Sequence, residues 1–179
     1  MILPGSVLFA CTLNAIRSPM AELLLKHSHG GRIFVDSAGV DEAPLDPMAV
    51  EVMAELGLDM RRHKAKTFED LADTSFDLIV TLSPEAHQKA KEITRTMSCD
   101  VEFWPVSDPA YFEGSRANLL DAYRGLRDEL ARRIARFVPE PEVTVAVSRV
   151  ASYRVYVLGR VNRPGDFAVG RPIDVLQAL

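Results

Sequence analysis

The stretch VLFACTLNAIRSPMAELLL, residues 7–25, decides how the chain is read. A β-prone apolar run, SVLFA at 6–10, ends at Cys11; an arginine follows six positions later, and from Arg17 apolar residues recur at helical spacing until Gly30 and Gly31. Strand, tight turn and helix in that order gather the backbone N–H groups of residues 11–18 into a small concavity beside a helix N-terminus. Such a concavity is an anion hole. Its field, with Arg17 close by, favours a thiolate over a thiol at Cys11. Arg17 is suited to present a planar fork to two phosphate oxygens. Ser18 is placed to donate to the sulfur, and Asn14 tolerates the left-handed backbone that a tight loop needs. A cysteine at a strand end is, taken alone, usually a small buried hydrophobe. The arginine at this spacing and the Ser-Pro that opens the helix favour the chemical reading.

Working outward, strands and helices alternate. RIFVDSAG (32–39) reads as a second buried strand closed by a small-residue turn, and LDPMAVEVMAELGLD (45–59) as a helix with Asp46 as N-cap, Pro47 first and Gly57 at its end. A polar connector, RRHKAKTFEDL (61–71), leads to FDLIVTL (76–82), a third strand, and then to SPEAHQKAKEI (83–93), a helix capped by Ser83 and opened by Pro84. CDVEFWPV (99–106) is a fourth strand, and the loop SDPAYFEGS (107–115) precedes the amphipathic helix RANLLDAYRGLRDELARRIARF (116–137). The expected class is α/β, a parallel sheet sandwiched by helices, with ligands bound beyond the carboxyl ends of the strands. Cys11 lies at the first βα turn, and Asp108 follows the last strand.

At PEPEV (139–143) the composition changes to a Pro/Glu linker, and residues 144–179 alternate like β-strands with a turn at Asn162 to Gly165. The expected organisation is a main domain at 1–138, the linker at 139–143 and a short β-rich extension at 144–179. A net charge of −4 with mixed signs argues against a broad nucleic-acid face and against a polybasic membrane anchor. No window approaches the twenty apolar residues of a membrane span, so a cytoplasmic protein is expected. The two cysteines, Cys11 and Cys99, form no disulfide framework. Cys99 reads as a buried structural thiol. His27 and His29 lack partners at ligand spacing, so no metal is expected, and RGLRDELARRIAR reads as the solvated face of a packed helix with i to i+4 ion pairs.

The pattern C-x5-R-S-P, the SAG at 37–39, the DLIVTL strand and the Asp-Pro at 108–109 together resemble the low-molecular-weight protein tyrosine phosphatases and the thioredoxin-linked arsenate reductases of the same fold. The resemblance covers residues 6 to about 138. It implies a four-stranded parallel sheet flanked by helices on both faces, with no metal and no cofactor. It implies a phosphate-binding loop of Thr12, Leu13, Asn14, Ala15, Ile16, Arg17 and Ser18, with Cys11 as nucleophile. Asp108 is then the acid that protonates the leaving phenolate and the base for the water that hydrolyses the cysteinyl-phosphate. Ser37 matches a position that buttresses the loop. His63 either supports Asn14, as the resemblance implies, or is an exposed histidine of a basic connector. Tyr111 and Phe112 either wall a phosphotyrosine ring or pack the loop.

Departures from the pattern are specific. Leu13 replaces a glycine, and Ile16 replaces a second cysteine common before the arginine. Ser83 stands where an arsenate reductase needs a relay thiol, and Cys99 comes too late to supply it. Phosphotyrosine hydrolysis is therefore preferred to arsenate reduction, with a phosphoprotein-binding module that does not hydrolyse as a third reading. The tail YRVYVLGRVNRPGDFAVGRPIDVLQAL resembles part of the soluble ligand-binding β-grasp module of polysaccharide-export proteins. That resemblance points to exopolysaccharide control, with a phosphotyrosine protein such as a bacterial tyrosine kinase or an export component as partner.

Overall fold

The computed structural model describes residues 4–71 and 75–137, together with the backbone of residues 153–157 and 165–169. The chain divides into two units, Met1–Pro139 and Glu140–Leu179. In the first unit, β1 (Ser6–Cys11), β2 (Phe34–Gly39), β3 (Leu78–Thr81) and β4 (Asp100–Phe103) form one sheet in the order β2-β1-β3-β4, every pair parallel. The helices are α1 (Arg17–His29), α2 (Pro47–Ala54), α3 (Pro84–Ile93) and α4 (Arg116–Ile134). In the second unit, β5 (Tyr153–Val157) and β6 (Gly165–Val169) pair antiparallel, with Val155 opposite Phe167. The Pro/Glu linker and the expected turn before Gly165 lie outside the described residues.

β1 shows why the sheet is covered on both faces. Its side chains alternate: Val7, Phe9 and Cys11 join a core with residues of α1, α2 and α4, while Leu8 and Ala10 join a second core with Phe68, Ile79, Ala86 and Ala90. Both sets are buried, so the strand reads as an unbroken apolar run. β4 is an edge strand and mostly exposed, which explains its charged residues Asp100 and Glu102.

Three helix starts carry the expected chemistry. Asp46 accepts from Met48 N and Ala49 N ahead of Pro47; Ser83 accepts from Ala86 N ahead of Pro84; Ser115 accepts from Asn118 N. α2 stops at Ala54, before the expected Gly57. Glu55 and Leu56 continue into a tight turn that Gly57 closes at φ +74°, where a side chain is disfavoured. The expectation of a solvated face on α4 is corrected at Arg127. This residue is buried and bonds Val52 O at 3.0 Å and Glu55 Oε2 at 2.9 Å, tying α4 to the end of α2. Arg133 and Glu129 do form an i to i+4 pair.

Candidate active site

α1 starts without a side-chain cap: Ile16 occupies the N-cap position and makes no side-chain bond. Its first N–H groups are thus left to whatever anion enters the loop before it. The loop is built to face the same way. Four of its carbonyls are bound from outside by a strap at residues 40–46: Cys11 O by Val40 N (3.1 Å), Thr12 O by Asp41 N (2.9 Å), Leu13 O by Ala43 N (3.1 Å) and Ala15 O by Asp46 N (3.2 Å). In a trans peptide the N–H points opposite to the C=O. The amides of Thr12, Leu13, Asn14 and Ile16 therefore turn away from the strap, toward the interior of the loop.

Gly39 permits this closeness. A Cβ there would run into Asp41 O and lie 2.9 Å from Asn14 N, so the last residue of β2, just before the strap, has no room for a side chain. Asn14 has φ +50°, the one positive φ among the described non-glycine residues. Leu13 consequently sits in ordinary backbone, 40% exposed, and its position in the loop does not call for a glycine.

Beneath the loop lies a polar network. Cys11 Sγ and Ser18 Oγ are 3.0 Å apart. Asn14 Nδ2 donates to Ser18 Oγ and Ser37 Oγ, both at 2.9 Å. That leaves the Ser18 proton to point at the sulfur or at Ala38 O, 3.3 Å away. Asn14 Oδ1 accepts from Lys66 N at 3.0 Å and faces His63 Nε2 at 3.1 Å. Since Oδ1 can only accept, Nε2 carries the proton, a tautomer assigned from the network. Ser37 Oγ donates to the buried Glu22, which also binds Lys26 and lies 3.6 Å from His63 Nδ1. Burial holds the His63 pKa below its usual value, against the opposing pull of Glu22.

Above the loop, Arg17 is 7% exposed and its side chain is claimed on one edge. One terminal nitrogen donates to Thr12 Oγ1 at 3.1 Å and pairs with Asp108 Oδ2 at 2.8 Å. Its Nε is buried without a hydrogen-bond partner. Thr12 Oγ1 in turn lies 3.1 Å from Ser83 Oγ and 3.3 Å from Glu85 Oε2. Asp108 Oδ1 accepts from Ala110 N at 3.0 Å and so caps a 3-10 turn, Pro109–Tyr111. Tyr111, which ends that turn, and Phe112 after it are 83% and 54% exposed.

The structure thus brings Cys11, Asn14, Arg17, Ser18, Ser37, His63 and Asp108 into one assembly. Sequence reading missed Glu22, Lys66 and the Thr12–Ser83–Glu85 chain. Glu22 carried a usable signal, an acid on the buried stripe of α1; the main-chain donor of Lys66 carried none.

The sequence profile of the low molecular weight phosphotyrosine protein phosphatases matches residues 6–147. The chain belongs to that family. An arsenate reductase of Bacillus licheniformis is 32% identical over 137 residues, 76% of this chain and 97% of the reductase. Among solved structures, the low molecular weight protein tyrosine phosphatase of T. tengcongensis is 27% identical with a TM-score of 0.60, covering 72% of this chain and 94% of that one. A tyrosine phosphatase of Erwinia amylovora shares the fold at 22% identity and a TM-score of 0.63, covering 75% of this chain and 91% of that one. In this low molecular weight phosphatase domain, Cys11 and Arg17 belong to the loop that closes the first βα turn. Among the described residues, no helix is long and apolar enough to cross a membrane.

Proposed function

We propose that the protein hydrolyses phosphotyrosine and related aryl phosphate monoesters through a cysteinyl-phosphate intermediate. The observation that carries this reading is Arg17, buried with an unpartnered Nε at the mouth of a loop whose amides turn inward. A phosphoryl group supplies the acceptors that this guanidinium and these amides lack. In the first step Cys11 Sγ attacks phosphorus in line, the S–P bond forms, the P–O bond to the phenol breaks, and Asp108 gives its proton to the departing oxygen. In the second, water attacks phosphorus, its proton passes to the Asp108 carboxylate, the S–P bond breaks and phosphate leaves. Arg17 and the loop amides hold the equatorial oxygens throughout. The partner that goes with this reading is a phosphotyrosine protein of the cytoplasm, a tyrosine kinase or a component of exopolysaccharide export.

Hydrolysis of p-nitrophenyl phosphate is the test. Turnover is expected to vanish in Cys11→Ser and to fall by about two to four orders of magnitude in Asp108→Asn, the range for a lost general acid. Full activity in Cys11→Ser would refute the mechanism. Absence of turnover by the wild-type protein, with tight phosphopeptide binding, would favour the binding module instead.

The identity to arsenate reductases favours a second reading, which the thiols oppose. Ser83 is committed as the cap of α3 and as a partner of Thr12. Cys99 is half-buried against the second core, and burial pushes its pKa up, with Asp100 and Asp77 adding to the effect.

A further inference from the structure

We propose that a cavity on the face of the sheet opposite Cys11 is a binding site for a neutral aromatic molecule of one ring or two fused rings. Its volume is about 210 Å³. Four side chains make the buried part of its lining: Leu8 of β1, Ile79 of β3, Phe68 and Phe76. Ile93, the last residue of α3, and Met97 also line it and are exposed, so the cavity opens on their side. Main-chain structure keeps the space open. Leu8 and Ile79 are register partners in neighbouring strands. Phe68 N donates to Gly39 O at 3.1 Å, which ties this part of the connector to the end of β2, and the Phe76 ring stacks with Phe34 at 6.0 Å between centroids. Collapse of these walls would cost strand pairing or that bond, so the site is preformed.

The lining selects the ligand. Apart from Glu69, every lining side chain is apolar, so a ligand with several polar groups would leave them unpaired. The Glu69 carboxylate is itself paired with Lys89 Nζ at 2.7 Å, and an anionic ligand meets no cation in the lining. An empty apolar cavity forfeits the dispersion contacts of its walls, and an apolar occupant restores them. The rings of Phe68 and Phe76 favour an aromatic one. A cavity of about 150 Å³ with a comparable Leu/Ile/Phe lining takes up benzene, so the larger volume here admits a fused pair of rings such as indole. The site is also separate from the phosphate loop. Leu8 precedes Cys11 by three residues on β1, roughly 10 Å along the strand, and belongs to the second core, whereas Cys11 belongs to the first. Ligand and phosphate are therefore free to bind together, and the cavity stands whether or not the chain is a phosphatase.

Indole is the probe, with benzoate as an anion of similar size, and the readout is methyl NMR of the full chain. Indole is expected to bind with a dissociation constant on the order of 0.1–1 mM. The methyl signals of Leu8, Ile79, Ile93 and Met97 should shift, equally with and without saturating inorganic phosphate, and benzoate should leave them in place. Ile93→Trp and Met97→Trp each put a ring at the mouth of the cavity, where the native side chain is exposed. Either should weaken indole about tenfold or more while the remaining methyl spectrum stays that of the folded wild type. Absence of shifts in several millimolar indole, as when another part of the chain or a second copy fills the space, would overturn the proposal. So would equal binding of benzoate, displacement of indole by phosphate, or an affinity unchanged in both variants.

Discussion

Asn14 divides its amide between two sides of the loop: Nδ2 steadies Ser18 and Ser37, while Oδ1 takes Lys66 N and His63. This makes the loop sensitive to the state of His63. Burial lowers the His63 pKa in the folded protein, so below the usual 6.5 the unfolded chain binds protons that the folded chain resists. The stability from neutral His63 is therefore full above that value and is lost as pH falls through it toward the folded pKa. Urea unfolding at pH 7.5 and pH 5.5 should show wild type weakening at the lower pH, with a smaller difference in His63→Gln. An unchanged difference would assign the pH response to other groups. Cys11, Asn14, Arg17 and Ser18 were legible because their chemistry fits within eight residues of sequence. Glu22 and Lys66 were not, because what they do is decided by partners that only the folded sheet brings near.

Helices were the most readable elements, since Asp46–Pro47, Ser83–Pro84 and Ser115 announce starts through local hydrogen bonds. Their mutual ties were not readable. Arg127 looked like one of many surface cations, yet it satisfies Val52 O, a carbonyl in the last turn of α2 that has no partner further along its own helix. It also shares Glu55 with Arg124, and together the two arginines hold the Glu55 carboxyl down to about 2. Arg127→Met keeps the buried stem but leaves that carbonyl orphaned, and is expected to cost about 1–3 kcal/mol in chemical denaturation. A loss within error would mean that water satisfies Val52 O. The bridge between Gly39 and Thr67 was likewise invisible, because a polar connector that reads as a loop supplies a short extra edge beside β2.

At the scale of the molecule, the sheet separates the two thiols. Val7 lies beside Leu78, and Leu78 beside Asp100, so Cys99 sits at the amino edge while Cys11 ends β1 at the carboxyl edge. At ~3.3 Å per residue that is roughly 15 Å along the strands alone, and a disulfide needs Cα atoms within about 7 Å. Treatment of the native protein with diamide should therefore yield no intramolecular disulfide by mass spectrometry. Arsenate turnover should likewise be absent when thioredoxin or glutathione is supplied; turnover under either would restore the reductase reading. The parallel sheet, with Cys11 at the end of its first strand and Cys99 at the start of its fourth, was evident from the alternation of elements, but the order β2-β1-β3-β4 and the register were not, because an apolar run specifies neither.

The strap at residues 40–46 grips the phosphate loop through main-chain donors alone, at Val40, Asp41, Ala43 and Asp46. Shape is thereby uncoupled from spelling. Lineages of this protein can exchange side chains along much of the strap without recasting the cradle, provided that Gly39 stays bare and that proline never arrives at one of the four donor positions.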